Sequence, residues 1–64
     1  MHPDTVRNLL EQYVNDNGVK YNFIAQKIGI SKSMLSYWRK GQKELGKEKL
    51  YALYKYVTRY PSNN

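Results

Sequence analysis

The chain has no cysteine and one histidine, His2, beside its start. No disulfide framework can brace it, and His2 has no set of companions from which to build a zinc site. Long apolar runs are missing as well. Tyrosine aside, no uninterrupted apolar stretch exceeds three residues, Phe23 to Ala25, so nothing here suits a bilayer span or the core of a signal peptide. Acidic residues are scarce, five against eleven lysines and arginines. With His2 terminal and Asp4, Glu11, Asp16, Glu44 and Glu48 scattered without a phased partner, there is no acid–base pair for catalysis. We therefore expect no enzyme activity, no cofactor, no metal and no small-molecule substrate.

What is present is basic and short. Sixty-four residues make one domain, which at this size buries only about 60% of the surface its unfolded chain exposes. The core must be thin, and helix packing has to hold it unaided. The net charge of +6 is unevenly spread: residues 1–19 set one arginine against three carboxylates, a balance of −2, whereas from Lys20 onward ten basic residues face two glutamates, +8. Such a module suits a polyanion such as nucleic acid. Charge alone fits small ribosomal and membrane-surface proteins equally well.

Period 3.6 organises the whole chain. Val6, Leu9, Leu10, Tyr13 and Val14 form one apolar stripe, predicting a first helix at about residues 3 to 16. Pro3 suits its first turn, Asp4 the positive end of its dipole, and Asn17–Gly18 its left-handed stop. A second helix, Tyr21 to Ile28, carries Ile24, Ala25 and Ile28 on one face and stops at Gly29. Ile30 projects from a short turn, and Ser31 is placed to accept an orphan N–H as N-cap of a third helix, Lys32 to about Lys40, which Gly41 ends. Gln42 to Gly46 reads as a loop. A fourth helix, about Lys47 to Tyr60, presents Leu50, Leu53, Tyr54 and Val57 inward and ends at Pro61. The domain thus spans 1–61, followed by a frayed tail, 62–64. No segment alternates with period two, so an all-α fold of four helices is expected.

The stretch Tyr21 to Gly41 carries the most information. Two helices that join through a three-residue turn and cross steeply need a small side chain where they touch, which Ala25 supplies. Gly29 permits a left-handed backbone, Ile30 plugs the wedge, and Leu35 with Trp38 anchors the third helix from beneath. Ala25, Gly29, Ile30 and Ser31, then Leu35, Ser36, Tyr37, Trp38 and Gly41, together resemble the Cro and phage-repressor (Xre-type) helix-turn-helix DNA-binding family. The likeness extends over nearly the whole chain. It departs in having Lys20 and Tyr21 where the family has a capping Ser or Thr and a glutamine, Arg39 where glutamate is frequent, no proline in the loop, and no fifth helix within these residues.

The resemblance implies a sequence-specific double-stranded DNA binder, a transcriptional repressor or regulator of phage, mobile-element or bacterial type, acting in the cytoplasm of a bacterial cell or a phage-infected host. At about 100° per residue, Ser33, Ser36, Tyr37 and Lys40 lie opposite Leu35 and Trp38. Lys32, Ser33, Ser36 and Tyr37 are the expected base contacts. Tyr21, through its hydroxyl, and Lys40, Lys43, Arg39, Lys20, Lys27 and Lys47 are the expected phosphate contacts. One module is small for strong specificity, so two copies on adjacent half-sites are expected.

Trp38 lies in phase with Leu35 and is read as core rather than as a stacking platform for a base. Tyr13 and Tyr54 fall on inward stripes. Tyr51, Tyr56 and Tyr60 flank the fourth helix, either as a self-association surface or as amphipathic rings covering a thin core. Two other functions fit the same residues: a protein-binding inhibitor or adaptor that reuses the fold, and RNA binding.

Overall fold

In the computed structural model, which describes residues 2–59 and only the backbone of Arg59, the four expected helices are all present. They are α1 (Pro3–Asn17), α2 (Tyr21–Ile28), α3 (Lys32–Arg39) and α4 (Lys47–Arg59). No strand occurs among the described residues. The expected end of the fourth helix at Tyr60 and Pro61, and the tail, lie outside them.

The helix ends follow from local chemistry. At α1 the His2 imidazole Nδ1 accepts a hydrogen bond from the Asp4 N–H at 3.2 Å, and Pro3 fills a position whose N–H would have had no helical partner anyway. At α3 the Ser31 hydroxyl accepts from the Met34 N–H at 3.0 Å, as its position predicts. Helix α3 ends one residue earlier than expected because Lys40 relaxes to φ −84°, ψ −2°. Its N–H still reaches the Ser36 carbonyl, and Gly41 then turns at φ +77°.

Packing is pairwise: α1 lies along α4, and α2 meets both α3 and α4. The centre is wholly apolar, built from Val6 and Leu10 of α1, Ile24, Ala25 and Ile28 of α2, Leu35 and Trp38 of α3, and Leu53 and Val57 of α4. No polar or charged side chain is buried with them among the described residues. Tyr13 and Tyr54, expected on inward stripes, are half-buried at the margin of this core. No described helix is long and apolar enough to cross a membrane.

Candidate nucleic-acid interface

The geometry of interest is the corner made by α2, the turn Gly29–Ser31 and α3. Ala25 is fully buried, and with only a methyl group it lets the two helices approach. Gly29 adopts φ +80°, a conformation in which a Cβ would crowd the following carbonyl. The turn is closed by the Ile30 N–H donating to the Ala25 carbonyl at 3.0 Å. From α4, Lys49 Nζ donates to the Ile28 carbonyl at 3.3 Å, so a cation satisfies the negative end of α2.

Helix α3 is held from beneath. Leu35 and Trp38 are each only 1% exposed, whereas Lys32, Ser33, Tyr37 and Lys40 on the opposite side are exposed and Ser36 is half-buried. A second restraint comes from α1. Arg7 Nε donates to the Trp38 carbonyl at 2.8 Å, its Nη1 donates to Asp4 Oδ1 at 2.7 Å, and its guanidinium carbon lies 4.8 Å from the Trp38 ring centroid. The sequence offered one clue to this arrangement, the three-residue spacing of Asp4 and Arg7 that places them on one helix face. It left Asp4 without a phased partner, and the structure corrects that.

Beyond α3 the chain folds back on itself. The Gln42 N–H donates to the Tyr37 carbonyl at 2.9 Å and the Gly41 N–H to that of Trp38 at 3.0 Å. This reversal brings Lys43 Nζ to 5.9 Å from the Tyr37 ring centroid, within cation–π range. Tyr37 itself is 44% exposed. The α3 face and the loop lysine therefore form one surface.

Not every expected cation joins it. Arg39, at the end of α3, lies with its guanidinium carbon 3.5 Å from the ring centroid of Tyr21, the first residue of α2. Lys27 sits over the exposed Phe23 ring at 5.1 Å and lines a groove on the side of α2 facing α4. Lys20 occupies the N-cap of α2 without a side-chain cap bond, and Lys47 opens α4. Among the described residues, none of these lysines nor Arg39 pairs with a carboxylate. The ion pair found there between permanently charged groups is that of Asp4 with Arg7.

The flanking tyrosines divide. Tyr56 packs edge-on against Tyr13, centroids 5.7 Å apart at 76°, and so helps cover the core. Tyr51 is 53% exposed and borders the α2–α4 groove, about 400 Å³, together with Lys27, Ile28, Ala52, Lys55 and Tyr56. Tyr60 lies outside the described residues. No protein-family model matches the chain, nor does any curated protein or solved structure.

Proposed function

We propose that this chain is a sequence-specific double-stranded DNA-binding module of transcriptional-repressor type, with α3 in the major groove and α2 across its mouth. The observation that carries the proposal is the division of α3. One side is fully spent on anchoring, while Lys32, Ser33, Tyr37 and Lys40 face outward on a braced helix, with no carboxylate partner among the described residues. Lysine and serine at the start of such a helix can donate to base edges, and the tyrosine ring can meet a thymine methyl. Lys40 and Lys43 supply phosphate contacts that fix register.

Two copies on half-sites about one helical turn apart would give the discrimination that one module lacks. The exposed Tyr51 groove is a surface for that pairing. Because Lys27 and Lys55 line it against the single carboxylate of Glu48, like charges oppose pairing in free solution, and we place it on DNA, where phosphates offset them. A transcriptional role puts the protein in the cytoplasm of its bacterial or phage-infected host.

Selection of bound duplexes from a random pool, followed by gel-shift titration in rising salt, tests the proposal. The expected outcome is an enriched palindrome whose affinity falls steeply with salt. Binding that ignores salt, or a pool with no enriched sequence, refutes it. Preference for single-stranded RNA over duplex in competition favours RNA binding instead.

A further inference from the structure

We infer that Tyr21 is a platform rather than a phosphate contact, and that it holds Arg39 as a preformed phosphate clamp spanning the open side of the α2–α3 corner. The inference rests on the DNA-binding reading above and gives these two residues distinct roles within it.

The geometry starts from the 3.5 Å separation between the Arg39 guanidinium carbon and the Tyr21 ring centroid. At that distance the guanidinium has to lie flat on the ring, since an edge-on approach would drive a nitrogen into the π face. A stacked guanidinium uses its face for the ring and keeps its in-plane N–H edges free. Those edges are the ones that grip a phosphate with two parallel hydrogen bonds. No carboxylate pairs with Arg39 among the described residues, so the edges are not already committed to an acid.

Position adds a second argument. Tyr21 opens α2 and Arg39 closes α3, the two helix ends farthest along the chain from the Gly29 turn. Each eight-residue arm is about 12 Å long, so a contact between their far ends closes the corner into a triangle. The half-buried ring of Tyr21 fixes the place of a side chain that would otherwise sample many rotamers. The cost of ordering it on a phosphate is thereby reduced.

The two roles separate in a set of four variants, Tyr21→Phe, Tyr21→Leu, Arg39→Gln and the double Tyr21→Leu/Arg39→Gln. Each is titrated against a mixed-sequence duplex of about two helical turns over a range of salt, with thermal melting recorded in parallel. Tyr21→Phe keeps the platform and is expected to bind like the wild type. Tyr21→Leu is expected to bind about two- to fivefold more weakly. Arg39→Gln should lower the slope of log affinity against log salt by about 0.9, the signature of one lost phosphate contact. The double variant should be no weaker than Arg39→Gln alone.

A Tyr21→Phe protein as weak as Tyr21→Leu overturns the inference, because the hydroxyl would then be the contact. An Arg39→Gln protein with the wild-type salt slope overturns it too, since a purely structural brace moves the melting temperature and leaves the slope alone. Failure of the wild type itself to bind the duplex at low salt removes the DNA-binding reading, a result distinct from either.

Discussion

Replacing Gly29 by alanine should destabilise the domain more than the same change at Gly41, and the gap should depend on a lysine in another helix. Both glycines have positive φ, +80° and +77°. An L-residue in that region costs about 1–2 kcal/mol, and the restricted unfolded chain of alanine returns about 0.4–1 kcal/mol. At Gly41 a Cβ meets nothing within 4 Å, so the net loss there is about 0–1.6 kcal/mol. At Gly29 the Cβ would lie 3.1 Å from Lys49 Nζ, the group that donates to the Ile28 carbonyl. Moving the ammonium aside by a few tenths of an ångström weakens that bond, a further loss of up to about 0.5–1.5 kcal/mol. For a domain of this size each kcal/mol shifts the melting temperature by roughly 4–8 °C. Thermal melting followed by helical circular dichroism should therefore place Gly29→Ala well below Gly41→Ala, and in a Lys49→Met background the two should converge. Equal melting of the two single variants, or a gap that persists without Lys49, refutes the reasoning.

Three further outcomes are expected. Trp38→Ala removes a side chain that is 1% exposed, a loss of about 3–5 kcal/mol; since a core this small supplies little more than that, the variant should lack a cooperative melting transition at room temperature. Arg7→Lys keeps the charge but cannot reproduce the Nε bond to the Trp38 carbonyl together with the Asp4 contact. It should be destabilised by about 1–2 kcal/mol in urea titration, and wild-type stability in Arg7→Lys would show that charge alone matters. Ser31→Ala loses the α3 N-cap and should cost about 0.5–2 kcal/mol, whereas Ser31→Asp should restore most of it.

The sequence announces features set within a few neighbouring residues. Helix α2 falls at its expected residues, α4 begins where expected, and Ser31 caps α3 because stripe period, glycine stops and cap chemistry are all local. The inward phase of Leu35 and Trp38 could be read for the same reason. The stays that hold α3 could not. Arg7 reaches Trp38 across 31 residues and Lys49 reaches Ile28 across 21, and nothing in either residue's own neighbourhood announces those partners. The Tyr21–Arg39 stack belongs to the same class: both were expected to contact phosphate singly, and only the meeting of α2 and α3 places one on the other. Tyr56 shows the same limit, since its edge-on contact with Tyr13 depends on how α4 lies along α1.

The split between the two sides of α3 has a bearing on how this protein can change. Lys32, Ser33 and Tyr37 take no part in the central cluster, so their side chains can be exchanged without disturbing the scaffold beneath. A library randomised at those three positions should yield members that melt alike. Sequence change on that side of the helix would then meet little resistance, because each new combination inherits a platform that already folds.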